Sequence, residues 1–321
     1  MRLVRGLHNL PAPATGCVAT IGNFDGVHRG HQAVISQCLR LGERLDLPVM
    51  LVTFEPQPRE YFAPMMAPPR LTRLREKLQA LAENGMSQVL CLRFDRRLAA
   101  QEPEDFIRSI LVEGLAVRQL VVGDDFHFGR GRAGNFELLQ QIAARSGFGV
   151  ERMHTFDLDG ERVSSTRVRA ALAAGDLEHA RELLGRPYSL CGRVVHGDKR
   201  GRTIGFPTAN IALHRTTSPV TGVYAVRVGG LGEAPIEGVA NIGHRPTVDG
   251  TRTQLEVHLF DFDRDIYGAH VQVSLVKKLR EEQRFDSFAA LRKQIEHDAG
   301  QARSLFTVMN SESVDAPITK D

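Results

Sequence analysis

Ile21-Gly22-Asn23-Phe24-Asp25-Gly26-Val27-His28-Arg29-Gly30-His31 decides the reading of the first half of the chain. An apolar run at 17–21 leads into it and a helical pattern at 32–45 leads out. A strand therefore ends here, the backbone turns at Gly22 and Gly26, and two histidines arrive where a helix begins. A helix N-terminus carries unpaired N–H groups and a partial positive charge, which suits phosphate. His28 and His31 are three apart, so on a helix they share one face. Two imidazole donors at such a helix end stabilise charge developing on a phosphoryl group. The plain alternative is a glycine-rich turn with two surface histidines. Two glycine turns and a His-x-Gly-His within eleven residues favour the phosphate reading.

Outward from this stretch the chain alternates strand and helix patterns. Strands are expected at 17–21, 49–54, 88–94 and 119–122, with helices at 32–45, 71–84 and 103–113. Near-continuous apolar strands with helical crossovers form a parallel sheet covered on both faces. Ligands of such sheets bind beyond the C-terminal strand ends. The opening stretch lies at that rim. So do Thr53-Phe54-Glu55-Pro56-Gln57-Pro58 after the second strand and Gly123-Asp124-Asp125-Phe126-His127-Phe128-Gly129 after the fourth. A further segment, Val163-Ser164-Ser165-Thr166-Arg167-Val168-Arg169, precedes a helical run at 170–174. Taken alone it supports helix capping and polyphosphate binding equally. Gly129-Arg130-Gly131-Arg132-Ala133-Gly134 spells G-x-G-x-x-G but does not directly follow a strand, so it reads as a flexible basic loop rather than a dinucleotide site.

The texture changes at Leu183-Leu184-Gly185-Arg186-Pro187. Six short β-type runs follow, at 188–196, 208–213, 222–228, 236–242, 254–260 and 270–279. Without intervening helices they imply an antiparallel barrel. Alternation puts Glu256, His258 and Phe260 on one face. If that face lines the barrel mouth, Glu256 is placed to act as a general base toward a hydroxyl. Phe285, Phe288, Leu291, Ile295 and Ala299 give a final helix, 285–305, its apolar stripe, and the polar tail beyond 306 is expected to be disordered. The organisation expected is thus 1–184, 185–306 and a tail 307–321.

The barrel carries a second dense motif, Gly192 to Asn210, rich in glycine and basic residues. Backbone N–H groups around Gly197 and Gly205, with Lys199 and Arg202, form a phosphate cradle. Thr208 and Asn210 are two apart, so on a strand their oxygens point the same way and suit Mg²⁺. A mobile basic hairpin is the plain alternative for Lys199 and Arg200. Gly238–Thr247 and the charged run from Leu279 to Phe285 complete the rim.

Composition bounds the rest. The 321 residues suit two domains of roughly 150 residues each. A content of 42% hydrophobic and 25% charged residues is that of ordinary globular proteins. A net charge of +3 does not argue for nucleic acid. Cys17, Cys38, Cys91 and Cys191 form no metal or disulfide spacing, and three of them sit within apolar runs and read as buried thiols of a reducing compartment. No apolar run reaches the roughly 20 residues of a membrane span. A soluble, cytoplasmic protein is expected; the oligomeric state is not readable.

These motifs together resemble the bacterial bifunctional riboflavin kinase/FAD synthetase family. The resemblance runs from about residue 15 to about residue 306. It implies an N-terminal Rossmann-like FMN adenylyltransferase domain of the nucleotidyltransferase superfamily. It also implies a C-terminal six-stranded riboflavin kinase barrel with a terminal helix. Two ATP-dependent reactions follow: riboflavin to FMN, then FMN to FAD with release of pyrophosphate. Carried over, Gly22, Asn23, Phe24, Asp25, His28, His31, Asp125, Ser164, Thr166 and Arg167 would bind ATP for adenylyl transfer. Phe54, Phe126 and Phe128 would lie near its flavin. In the barrel, Gly197, Lys199, Arg202, Gly205, Thr208 and Asn210 would bind ATP, Thr208 and Asn210 would hold Mg²⁺, Glu256 would be the base, and Glu256 and Arg280 would meet the flavin. His127 departs from the arginine common in that family. The rivals are a nucleotidyltransferase for another phosphorylated metabolite with an accessory barrel, and a non-catalytic flavin-binding or RNA-binding regulator.

Overall fold

The structure, a computed structural model, describes residues 1–11, 15–153, 155–197, 206–247 and 250–314. Six strands, β1 (Arg2–Arg5), β2 (Cys17–Ile21), β3 (Val49–Glu55), β4 (Gln88–Arg93), β5 (Val117–Gly123) and β6 (Gly149–Met153), form one parallel sheet. Their order is β1-β4-β3-β2-β5-β6. β2 is buried along its whole length because alternate side chains feed cores on both faces. Cys17, Ala19 and Ile21 pack with Met50, Val52 and Phe54, whereas Val18 packs with Val49, Leu51 and Val89. The chain leaves β2 toward β3 and later returns to the other side of β2 as β5. The carboxyl ends of β2 and β5 therefore flank the topological switch point, where open α/β sheets bind ligands.

Helix α1 (Arg29–Leu45) follows the turn and buries Val34, Ile35, Cys38 and Leu41 on one face. Next come α2 (Pro58–Phe62), α3 (Leu74–Glu83), α4 (Arg96–Ala99), α5 (Pro103–Phe106) and α6 (Phe136–Ser146). Residues Ile107–Gly114 continue α5 with π-helical geometry where one plain helix was expected. The edge strands β1 and β6 were not anticipated, since charged residues interrupt their short apolar patterns. The glycine-rich stretch 129–134 is tied down rather than loose. Phe128 bridges Gly134, and the Arg130 N–H donates to the Gln101 carbonyl at 2.7 Å.

The chain divides into two compact units, Met1–Ser165 and Thr166–Asp321. The first ends with a small hairpin of β7 (Asp157–Leu158) and β8 (Glu161–Arg162). Helix α7 (Ser165–Ala174) starts inside the hydroxyl-rich motif, and α8 (Leu177–Leu184) follows it.

The second unit is built on a closed barrel of β9 (Ser189–Val195), β10 (Ala209–Ala212), β11 (Gly222–Gly229), β12 (Ile236–Thr247), β13 (Gly250–Leu259) and β14 (His270–Arg280). All its pairings are antiparallel, in the order β10-β13-β12-β11-β14-β9. Along β13, Leu255, Val257 and Leu259 are buried and the alternate residues are half-exposed.

Helix α9 (Phe288–Val314) corrects two expectations. It begins after Ser287, whose hydroxyl accepts the Ala290 N–H at 3.1 Å, so Phe285 lies before it and Phe288 is 68% exposed. Its buried stripe is Ala299, Ala302 and Phe306, packed on Val223, Ala225, Val239 and Phe260 of the barrel. It also runs through residues expected to be a disordered tail. Met309 packs on the same core, and the Asn310 side chain accepts from Arg227 at 3.0 Å and donates to Glu237 at 3.2 Å. Those contacts hold the last turns on the barrel wall; residues 315–321 lie outside the described residues.

Candidate functional sites

The turn after β2 is strained and deeply anchored. Phe24 and Val27 adopt left-handed φ values of 48° and 44° around Gly26 at 85°. For a β-branched valine that conformation costs energy, and such strain concentrates at functional sites. Asp25, only 3% exposed, locks the turn to a distant segment. Its carboxylate accepts the Leu71 N–H at 3.1 Å, the Thr72 N–H at 2.9 Å and the Thr72 hydroxyl at 3.2 Å. The Thr72 hydroxyl in turn accepts the Gly26 N–H at 3.0 Å. The Ser165 hydroxyl donates to the Asp25 carbonyl at 2.9 Å, fastening the start of α7 to the turn.

His28 is the N-cap of α1 rather than a residue of its first turn, yet it lies on the same side as His31. Its Nδ1 accepts the His31 N–H at 3.4 Å, so a neutral His28 carries its proton on Nε2. The two rings stack at 3.7 Å and 18°. Nδ1 of His31 is buried and has no hydrogen-bond partner among the described residues. Burial, aided by the charges of His28, Lys77 and Arg162, holds the pKa of His31 well below 6.5. An orphaned imidazole nitrogen beside a helix start is a place for a ligand oxygen.

Lys77, 0% exposed, stands behind the turn and was missed by sequence reasoning. Its Nζ donates to Thr53 Oγ1 at 3.3 Å, and that hydroxyl donates to the Asn23 carbonyl at 3.3 Å. Burial lowers its pKa, against the opposing pull of Asp25 and Glu55. Arg70, equally unanticipated, bridges Glu55 and Glu60; its Nη1 and Nη2 meet Glu55 at 3.0 and 2.6 Å.

The other residues expected here divide. Gly22 donates its N–H to Val52 at 3.0 Å, in line with the sheet, and Asn23 is exposed. Asp125 is exposed and pairs with Arg162 at 2.8 Å. Ser164 is half-buried, Thr166 is exposed, and Arg167 Nη2 sits 3.3 Å from His179 Nε2. Phe54 and Phe128 belong to the sheet core. Phe128 is 5% exposed between Phe106 and Phe126, because its ring fills the space over Gly134. Phe126 is half-buried beside it.

In the second unit, β13 presents Gln254, Glu256 and His258 at alternate positions. These lie on the face opposite to the buried Leu255 and Val257, so Glu256 stands on the barrel's outer wall rather than in its mouth. Asn210 is directly opposite Glu256 on β10. Gln254, also missed from sequence, donates its amide to Asn210 Oδ1 at 2.8 Å and to Glu256 Oε1 at 2.7 Å. His258 Nδ1 donates to the Pro207 carbonyl at 2.9 Å, beside the exposed Thr208. Gly197 permits close approach: a Cβ there would lie 2.1 Å from Asn210 Nδ2. Lys199, Arg202 and Gly205 lie outside the described residues.

Arg280 does not reach toward this strip. Its guanidinium pairs with buried Asp298 of α9 at 2.8–3.1 Å, donates to the Glu281 carbonyl at 2.9 Å, and lies over Phe285. These contacts make Arg280 a clamp between β14 and α9.

The chain thus joins an α/β unit with a strained histidine turn at its switch point to a closed barrel, and the family matches make this a two-module chain of the nucleotidyltransferase-plus-barrel class. The FAD synthetase family model matches residues 10–167 and the riboflavin kinase model residues 184–306. The bifunctional riboflavin kinase/FMN adenylyltransferase of Escherichia coli K12 is 58% identical over 95% of this chain and 98% of its own. Those of Pseudomonas fluorescens and Haemophilus influenzae are 52% and 50% identical over 95% of this chain, and over 98% and 99% of their own. A crystal structure described as a macrolide-efflux protein from Streptococcus pneumoniae matches with TM-score 0.77 and 29% identity, covering 92% of this chain and 96% of that one. The chain belongs to the bifunctional riboflavin kinase/FMN adenylyltransferase family. Among the described residues no helix is long and apolar enough to cross a membrane.

Proposed function

We propose that this chain makes FAD in two steps: the barrel transfers the γ-phosphoryl group of ATP to the ribityl 5′-hydroxyl of riboflavin, and the α/β unit joins the resulting FMN to the AMP part of ATP. The observation that carries the reading is the pairing, in one chain, of the His28/His31 turn at the switch point with the Asn210–Glu256 strip. Family membership over both modules supports it, and neither rival has an observation in its favour. We place the functional division after Leu184, ahead of β9; the two family models match residues 10–167 and 184–306.

In the barrel, Glu256 takes the proton of the attacking hydroxyl while its oxygen attacks the γ-phosphorus and ADP leaves. Thr208 and Asn210 supply neutral hard oxygens, and the space over Gly197 lets the asparagine sit close to the loop backbone. These two residues would hold Mg²⁺, which neutralises phosphate oxygens when bound. In the α/β unit the FMN phosphate is itself the nucleophile: its oxygen attacks the α-phosphorus and pyrophosphate leaves. The α1 N-terminus and His28 Nε2–H meet the developing negative charge. With its pKa held down by burial, His31 takes part as a neutral hydrogen-bonding ring. Within this unit, Asp125 and Ser164 complete the nucleotide site. Four buried free thiols fit a reducing, cytoplasmic setting.

Purified protein with riboflavin, ATP and Mg²⁺ is expected to yield FMN and then FAD by chromatography. His28→Ala stops FAD formation, with a loss of about 100-fold or more, and leaves FMN formation within about twofold. Glu256→Ala does the reverse. Loss of FMN formation in His28→Ala overturns the assignment of modules, and neither product from folded wild-type protein overturns the function.

A further inference from the structure

Glu256 and Asn210 come from different strands and stand half-exposed on one strip. The ladder places them opposite each other. Gln254 stands two residues before Glu256 on the same face and diagonal to Asn210. Its Nε2 lies 2.8 Å from Asn210 Oδ1 and 2.7 Å from Glu256 Oε1. A primary amide has two N–H donors, and here each neighbour receives one. We propose that Gln254 is a positioning residue for phosphoryl transfer, locking Asn210 and Glu256 into one unit through its side-chain amide. The proposal rests on the kinase reading of the barrel.

The chemistry favours glutamine over its alternatives. A lysine or arginine here would bond the same two oxygens but hold a positive charge on the carboxylate that must take a proton. A glutamate would offer no donor and would repel Glu256. The amide gives two directional bonds and no charge. Its bond to Oδ1 also decides how the Asn210 amide points: oxygen toward β13, nitrogen toward Gly197. Oδ1 keeps a second lone pair for a hard cation. The bond to Oε1 fixes the plane of the Glu256 carboxylate. Gly243, opposite Gln254 on β12, contributes no side chain to compete, and the Glu282 carboxylate fills that space instead. A Cβ on Gly243 would lie 1.9 Å from Glu282 Oε1. Misplacing a reacting group by about 1 Å can cost about 100-fold in rate, so an alignment role belongs in kcat.

The test compares full-length wild type, Gln254→Met, which keeps the volume and removes both donors, and Gln254→Glu, which keeps the shape and reverses the polarity. Riboflavin phosphorylation is measured at saturating Mg²⁺. FMN adenylylation serves as an internal control, and ADP affinity with and without Mg²⁺ is read by calorimetry. Expected for Gln254→Met is a kcat loss of about tenfold to 100-fold, KM for riboflavin and ATP within about threefold, and unchanged adenylylation. Gln254→Glu loses more. The gain in ADP affinity on adding Mg²⁺ shrinks in both variants, a change that general loosening of the barrel, which weakens binding with and without Mg²⁺ alike, does not produce. A kcat within twofold of wild type in both variants overturns the proposal. So does a loss carried by equal rises in both KM values with the Mg²⁺ effect intact. Wild-type protein that adenylylates FMN but forms no FMN from riboflavin fails the kinase reading itself and is recognised before any variant is compared.

Discussion

The turn after β2 and the strip on β13 hold their polar groups in opposite ways. In the turn, Asp25 is buried and bonded to Leu71 and Thr72, far along the chain, and Lys77 braces Thr53 from behind. On the strip, Asn210, Gln254 and Glu256 are half-exposed and stand where strand register puts them. Burial makes each bond in the turn expensive to lose, because a donor left without water or partner pays its full desolvation cost. Exposure makes each bond on the strip cheap to lose in stability and costly only in alignment. The turn should therefore fail by unfolding and the strip by slowing.

Asp25→Ala is the strongest way to break that contrast. It orphans two buried backbone N–H groups and the Thr72 hydroxyl. The expected cost is about 3 kcal/mol, seen as a lower denaturation midpoint for the transition that carries adenylylation, with riboflavin phosphorylation retained in the cold. A midpoint unchanged from wild type would mean that the buried network is not what shapes the turn.

Lys77 tests the same contrast through pH. Its folded-state pKa is lowered below 10.5 by burial, so between the folded value and 10.5 the unfolded chain binds more protons. Stability then rises with pH across that window, by up to about 1.4 kcal/mol per unit, and is lost as pH falls through the folded value. Cys17 and Cys38, pushed up to about 12 from 9.0 by burial, act the other way, since the unfolded chain loses those protons first. The difference between wild type and Lys77→Met isolates the lysine. Melting curves taken from neutral pH upward are expected to diverge, the wild type gaining stability relative to Lys77→Met as pH rises toward 10.5. Parallel curves would show that Lys77 is ionised alike in both states.

How much was legible from sequence follows the same divide. The turn announced itself because glycine and histidine spacing is local, and so did the barrel, whose strands lie between plain turn residues. The parts that hold the turn did not. Lys77 and Glu76 occupy the buried face of α3 with Ala80 and Leu81, where charge reads as a gap in the apolar stripe. The available signal was a lysine three and four residues before that stripe. Gln254 shared the alternation used to place Glu256, yet a glutamine on a half-exposed strand has no signature until its partner across the ladder is known. Phe54 and Phe128 are ambiguous in sequence because an aromatic at a strand end suits a ligand and a core equally, and what the structure adds is their packing on Phe94 and Phe106. The helix beyond residue 306 was hidden because Asn310 reads as a polar tail until Arg227 and Glu237 are beside it.

The smallest expected effect sharpens the contrast from the acid side. The pKa of His31 lies well below 6.5 because of burial first, and then the charges of His28, Lys77 and Arg162. Below pH 6.5 the unfolded chain takes a proton that the folded ring refuses, so the stability His31 contributes is complete above 6.5 and is lost as pH falls toward the folded value. Between neutral pH and a pH about one unit below 6.5, the α/β unit is expected to lose about 1 kcal/mol on this account, measured by urea unfolding. His31→Gln should flatten that slope. The strip, with no such buried imidazole, should show kinase kinetics that follow substrate and Mg²⁺ rather than fold stability over the same range. An equal acid slope in His31→Gln would place the proton uptake elsewhere and remove the case for a neutral, ligand-facing ring at the turn.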